Sequence, residues 1–229
     1  MPSLYLTFDD GPHPAWTPAV ADALAAVGAQ ATFFVMAPAA HEQAALVRRL
    51  VAAGHAVELH ASRHRRHSEL DRVAVGREAV EGLRGLARVG IRPCRWRTPW
   101  GSLHPATPAV AAAHGLTLTG WTADTHDWRG DRAEAMVEVL APGAVVLCHD
   151  GLGPGARRQD ASETVRFVGR AAAWARERGL ALEALPAPGD ASAGLRILTG
   201  HPGPAPADAL GASGDPRALA ARSRSAVPA

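Results

Sequence analysis

Lysine is absent from this sequence: all 24 residues counted as lysine plus arginine are arginine. A Schiff-base lysine, a lysine general base and a P-loop lysine are excluded together. Asparagine is absent as well, so the chain offers no N-glycosylation sequon. Cysteine is scarce. Cys94 and Cys148 each sit in an apolar, strand-like stretch and read as buried reduced thiols rather than a disulfide framework. No apolar run approaches the roughly 18 residues of a transmembrane helix, so no membrane association is expected. A large excess of one charge is also lacking. The formal net charge of +2 gives no sign of a nucleic-acid surface. Before the first strand, Met1-Pro2-Ser3 leaves no charged n-region and no room for a signal peptide. As written the chain reads as cytoplasmic, and as secreted only if a leader has been removed.

What is present is an ordinary globular balance, 47% apolar and 20% charged, over 229 residues. That suits one domain with a real core. Short β-rich runs predict strands at 4–9, 31–36, 56–60, 93–98, 116–122, 144–149 and 180–185. Several are continuously apolar, as parallel strands covered on both sides are. Helical patterns lie between them. Thr17-Pro18 reads as an N-cap followed by proline at the first helical position, with Gly28 as the stop. Leu46, Val47, Leu50 and Val51 form an apolar stripe ahead of Gly54, 73–89 is helical, and a helix beginning at Phe167 closes at Gly179. Alternation of this kind implies a parallel α/β fold, either a (β/α) barrel or a doubly wound sheet. The G-x-G-x-x-G dinucleotide fingerprint is missing after the first strand, where Asp9-Asp10-Gly11-Pro12 stands instead. From Pro186 the composition shifts to Pro, Gly, Ala and Ser. We expect a folded domain over 1–186 and a flexible tail over 187–229.

Ionisable residues gather at the ends of the predicted strands: Asp9-Asp10, His60 with His64 beyond it, Arg97, Asp124 with Asp127, and His149-Asp150. In a parallel barrel those ends share the face that carries active sites. Asp9 and Asp10 place two like charges side by side, which a cation bound by one of them would relieve. Asp-Asp-Gly-Pro is also good turn chemistry. His60 and His64, spaced H-x-x-x-H, add two nitrogens to one carboxylate and leave a coordination position open. His67 could compete with His64, but Arg63-His64-Arg65-Arg66-His67 reads more simply as a solvated basic loop. Arg97, if buried, needs a carboxylate partner, and Asp9 is the candidate. His149 stands at the mouth of an apolar strand as an acid/base candidate or a core histidine.

Together these residues resemble the polysaccharide deacetylase family, the NodB-homology or carbohydrate esterase family 4 domain. The first motif is Thr7-Phe8-Asp9-Asp10-Gly11-Pro12, followed by Thr17-Pro18 and Ala31-Thr32-Phe33-Phe34-Val35. The second is Gly54-His55 with His60 and His64, and the third is Arg97-Thr98-Pro99-Trp100-Gly101. The fourth is Asp124 with Asp127-Trp128, and the fifth is Val146-Leu147-Cys148-His149-Asp150. The resemblance covers residues 3–186 and implies a deformed parallel (β/α) barrel of about seven strands. It implies an enzyme that hydrolyses the N-acetyl group of a chitooligosaccharide, peptidoglycan fragment or similar sugar, and we expect a monomer. One divalent ion would be held by Asp10, His60 and His64: Zn²⁺ first, with Co²⁺, Ni²⁺ or Mn²⁺ as alternatives. Asp9 would be the general base and Arg97 its charge partner. His149 would be the general acid, paired with Asp127. Trp100 would supply a backbone N–H to the oxyanion, and Trp128 and Leu147 would wall the acetyl pocket.

Two positions depart from the family pattern. Ala61 replaces a hydroxyl residue that would brace the metal loop, which predicts weaker metal binding. Trp100 replaces tyrosine, which predicts a narrower sugar site. Three other readings compete. One is deacylation of a small cytoplasmic N-acyl intermediate by the same mechanism. Another is a non-catalytic sugar- or metal-binding relative. The third is a two-histidine, one-carboxylate iron oxygenase, which would normally require an all-β barrel.

Overall fold

The computed structural model describes residues 3–189. Met1, Pro2 and residues 190–229 lie outside the described residues, and with them most of the tail expected at 187–229. The first strand, β1 (Ser3–Asp9), is buried along its whole length, which accounts for its unbroken apolar run. In chain order there follow α1 (Trp16–Ala26), β2 (Thr32–Met36), α2 (Ala37–Glu42), α3 (Ala44–Ala52) and β3 (Ala56–Ala61). Then come α4 (Arg72–Ala87), β4 (Arg95–Trp96), α5 (Thr107–Ala113), β5 (Thr117–Leu118) and β6 (Ala123–Asp124). The described chain closes with α6 (Ala133–Met136), β7 (Val145–His149), α7 (Ser162–Glu177) and β8 (Ala181–Leu182).

Every strand pairing is parallel, in the order β5-β4-β3-β2-β1-β7-β6, with β8 added beside the start of β1. The pleat sorts the side chains onto two faces. Leu4, Leu6, Phe8, Phe33, Val35, Val146 and Cys148 join the large core under the helices. Tyr5, Phe34, Val145 and Leu147 point the other way and meet Trp121 and Leu185 in a second, smaller core. A sheet with an apolar interior of its own and helices outside is a curled barrel wall, so the deformed (β/α) barrel is the fold. Among the described residues no helix is long and apolar enough to cross a membrane.

Two local expectations are corrected. The strand predicted at 116–122 shrinks to β5, and β6 begins only at Ala123, beyond that range; the two lie at opposite edges of the sheet. Between them the carbonyls of Thr119 and Gly120 accept from the Arg97 guanidinium at 3.3 and 2.8 Å. Backbone acceptors that would feed a ladder are spent on a buried cation. Thr17 is not an N-cap. It lies inside α1, accepts from the His13 N–H at 2.7 Å and donates to the Asp150 carboxyl.

The last described turn seals the inner core. Leu185 is buried there, its N–H donates to Thr32 Oγ1 at 2.9 Å, and the Pro186 carbonyl accepts from the buried Arg95 guanidinium. We propose that the folded domain closes at Pro186. A chain ending at Gly189 should melt with the full-length protein. One ending at Gly179 gives up burial of Leu185 and a buried acceptor, roughly 3–5 kcal/mol together. At about 2–4 °C per kcal/mol its Tm should fall by about 6 °C or more in calorimetry. A shorter chain as stable as the parent would place the boundary earlier.

Candidate active site

The inward face of β1 carries Tyr5, Thr7 and Asp9, and that of β7 carries Val145, Leu147 and His149. The parallel register sets Asp9 directly beside His149. The alternation that buries Tyr5 and Leu147 therefore brings a carboxylate and an imidazole to the same rim. Asp10 follows with φ of 72°, a left-handed turn that departs from the strand. Its carboxylate rests on a glycine-rich loop: a Cβ at Gly153 would collide with Asp10 Oδ2, and one at Gly151 with the Asp10 carbonyl.

Asp10, His60 and His64 offer three ligand atoms within 4.8 Å of one another. The Nε2 atoms of His60 and His64 lie 3.3 and 3.0 Å from Asp10 Oδ1. His60 Nδ1 meets the Arg97 carbonyl at 2.7 Å, where it can only donate, so Nε2 carries the lone pair in the neutral ring. Asp10 Oδ1 and His64 Nδ1 are buried without a hydrogen-bond partner among the described residues. Burial alone would raise the Asp10 pKa, but the two adjoining imidazoles draw it well below the usual carboxylate range. Burial lowers and the carboxylates of Asp9 and Asp10 raise the His60 pKa, with a net rise.

Behind this trio, Arg97 is almost fully buried. It donates to Asp9 Oδ1 at 2.9 Å and to Thr7 Oγ1 at 2.7 Å, while its guanidinium lies 4.1 Å from the Phe34 ring centre. All its in-plane partners are fixed, so the Asp9 carboxylate is held in one orientation. On the other side His149 Nδ1 meets Asp127 Oδ1 at 2.7 Å. Burial lowers the His149 pKa, but the Asp127 charge and hydrogen bond, with Asp10 and Asp9, push it up to about 9. Burial raises the Asp127 pKa, but the His149 charge and hydrogen bond, with Arg158 and Thr164, take it down to about 2.

The walls combine expected and unexpected residues. A cavity of about 540 Å³ opens over the floor and is lined by Asp9, Asp10, His60, His64 and His149. Trp100, Trp128 and Leu147 line it too, while Arg97 and Asp127 stand behind it as supports. Trp100 has φ 55°, ψ 14°, a left-handed conformation uncommon for a bulky residue, and its ring meets His64 edge-on at 4.1 Å. Sequence reasoning missed Trp121, buried at 6% exposure on the wall. It missed Arg158, whose guanidinium binds Asp127 Oδ2 at 3.0 Å, the Thr164 hydroxyl, and the carbonyls of His149 and Gly151. Asp150, which the sequence placed at a strand end without giving it a role, is fully buried against Gly11 and Thr17, where burial first and then the charges of Asp10 and Asp9 push its pKa up to about 7.

His67 is corrected outright. It is buried rather than solvated, sits edge-on to Trp96 at 5.0 Å and meets Thr107 Oγ1 at 3.2 Å. Burial, with His60 and His104 nearby, takes its pKa down to about 4. The hydroxyl missing at Ala61 has a substitute one residue on. Ser62 Oγ donates to Glu78 on α4 at 2.7 Å, and the same carboxylate accepts from Arg63 N–H at 3.0 Å. That pins the loop between the two histidines.

The family model for polysaccharide deacetylase matches residues 1–119. A chitooligosaccharide deacetylase of Sinorhizobium fredii is 36% identical over 197 residues, covering 81% of this chain and 91% of that protein. A peptidoglycan-N-acetylglucosamine deacetylase of Listeria monocytogenes is 33% identical over 150 residues, 63% of this chain and 32% of that longer protein. Among solved structures, a family 4 carbohydrate esterase from Streptomyces lividans in complex with acetate superposes with a TM-score of 0.71 at 29% identity, covering 79% of this chain and 91% of that one. A model match across half the chain and a relative aligned over most of both lengths leave one assignment: this chain is a hydrolase that belongs to the polysaccharide deacetylase family.

Proposed function

We propose that the protein removes the acetyl group from an N-acetylated sugar, releasing acetate and a free amine, with one divalent ion held by Asp10, His60 and His64. The relatives named for chitooligosaccharide and peptidoglycan deacetylation support the substrate class. The observation that carries the reaction is the pairing of opposite tasks across one strand register. Asp9 is tied to a buried arginine and His149 to a buried carboxylate, side by side on the lining of one cavity.

The donor set fits a metal ion. A neutral His60 directs a lone pair, not a proton, toward Asp10 Oδ1, and that oxygen has no hydrogen-bond partner among the described residues. Two nitrogens and one carboxylate oxygen suit Zn²⁺ and its borderline neighbours. An ion bound there would polarise the acetamide carbonyl and acidify water at neutral pH. The side chains do the rest. Asp9, aimed by Arg97, takes the proton of the attacking water as its oxygen adds to the carbonyl carbon. The Trp100 backbone N–H faces the developing oxyanion. As the C–N bond breaks, His149 gives its proton to the departing amine. Trp128 and Leu147 enclose the acetyl methyl. A binding relative without activity would not need Asp9 and His149 both in working positions. The parallel α/β barrel also speaks against the iron-oxygenase reading, whose usual frame is an all-β barrel.

Acetate release from chitooligosaccharides, peptidoglycan fragments and small N-acetyl sugars tests this reading. Dialysis against a chelator should abolish release, and one equivalent of Zn²⁺ or Co²⁺ per chain should restore it. Full activity in the metal-free protein would overturn the metal assignment. Turnover of only the small N-acetyl compounds would move the substrate from glycan to metabolite.

A further inference from the structure

The mouth of the cavity carries two cations that the hydrolytic chemistry leaves unused. Arg66 lies 4.3 Å from the ring centre of Trp100, and Arg157 lies 5.9 Å from that of Trp128. Both line the cavity. They are tied to one rim. The loop bearing Arg157 also bears Gly155, where a Cβ would sit 3.6 Å from Nε1 of the ring that Arg66 covers. The Arg157 N–H donates to the Trp128 carbonyl at 2.8 Å, fixing that loop against the second aromatic wall.

Neither guanidinium is neutralised at close range. Among the described residues Arg157 makes no side-chain hydrogen bond or ion pair. The carboxylate nearest Arg66 is Glu69, at 3.9 Å and 67% exposed. The neighbouring Arg158 shows the contrast, with a carboxylate, a hydroxyl and two carbonyls on its guanidinium. Asp124, the acid on this wall, is taken by His126, whose N–H it accepts at 2.7 Å. A guanidinium resting on a ring spends its flat face and keeps its in-plane N–H groups, the edge that grips a carboxylate or phosphate bidentately.

We propose that Arg66 and Arg157 form a subsite for an oxyanion, a carboxylate or phosphate group, carried by the sugar chain whose acetamide reaches the floor. The preferred substrate is then an acidic N-acetylated oligosaccharide rather than a neutral one. The inference rests on the deacetylase reading above and narrows its substrate class.

The test compares chitotetraose with the same tetrasaccharide bearing C6 carboxylates and with one bearing C6 phosphates, all with metal-loaded protein. At least one acidic substrate should be favoured in kcat/KM by about tenfold, the worth of one charge-assisted hydrogen bond. The two acidic arms tell carboxylate from phosphate. The preference should shrink as salt rises from ~0.05 to ~0.5 M. In the double variant Arg66→Gln, Arg157→Gln the acidic-to-neutral ratio should fall to about one. Calorimetric binding of the acidic tetrasaccharides to Asp9→Asn, with and without the two arginine changes, reads the subsite without turnover. Equal rates on neutral and acidic substrates in the parent, or an equal loss on both in the double variant, would overturn the subsite. If no substrate is hydrolysed the deacetylase reading fails first, and the calorimetry still decides whether the arginines bind an oxyanion.

Discussion

Asp9→Asn should lower kcat/KM by about 10²–10⁴-fold, the usual cost of a missing general base, while the protein keeps its divalent ion. Asp10→Asn should lose the ion itself. The two residues are chain neighbours, yet the structure separates their tasks. Asp9 lies on the strand and spends one oxygen on Arg97, 2.9 Å away. Asp10 lies past it in a left-handed turn and spends its oxygen facing two imidazoles. An amide at position 9 keeps an acceptor for Arg97 but has no basic lone pair for a water proton. It also leaves Arg97, 1% exposed, without its carboxylate, so some loss of stability accompanies the loss of rate. Thermal melts and metal content must therefore be read beside kinetics. If both variants hold metal and lose activity equally, base and ligand have been assigned wrongly.

The parts of the site legible in the sequence were those that a strand pattern can carry. Continuous apolar runs placed Asp9, His60, Arg97 and His149 at strand ends, and a parallel sheet puts such ends on one face. The Asp9–Arg97 pair followed from charge, because a buried ion needs a partner, whereas His149–Asp127 came only from the family resemblance. What stayed hidden depends on contacts between segments with no pattern of their own. Arg158 sits in a glycine-rich loop and reaches back 31 residues to Asp127. Nothing in its local sequence distinguishes it from Arg157, which points to the mouth. His67 stands among arginines and so looks solvated, but Trp96 and Thr107 arrive from elsewhere and bury it. The strand at 116–122 failed for a related reason: its carbonyls serve Arg97, a demand invisible before the fold is known.

The pH dependence of kcat/KM should show an alkaline limb belonging to His149, since a general acid must be protonated to act. Activity is present below the imidazolium pKa and lost as pH rises through it. That pKa is pushed up to about 9 with the site free of metal. A divalent ion at Asp10 cancels negative charge that helps hold the proton, so the loaded enzyme's limb should fall between the free value of about 6.5 and that figure. Asp127→Asn should move the limb down by about 1–2 units with the metal retained. Two effects act in the same direction. The charge that favours imidazolium is gone. The amide must also turn its oxygen toward the three donors now on Asp127 Oδ2, the His149 N–H, Arg158 and Thr164. Its NH₂ then faces His149 Nδ1, which can accept that bond only when the ring is neutral. His149→Ala should remove the limb and cost amide substrates about 10²–10⁴-fold. An activated acetate ester should suffer far less, because its leaving group departs without a proton. An unmoved limb in Asp127→Asn would mean that it reports some group other than His149. Undiminished amide hydrolysis in His149→Ala would leave this histidine a structural neighbour of Asp127 and nothing more.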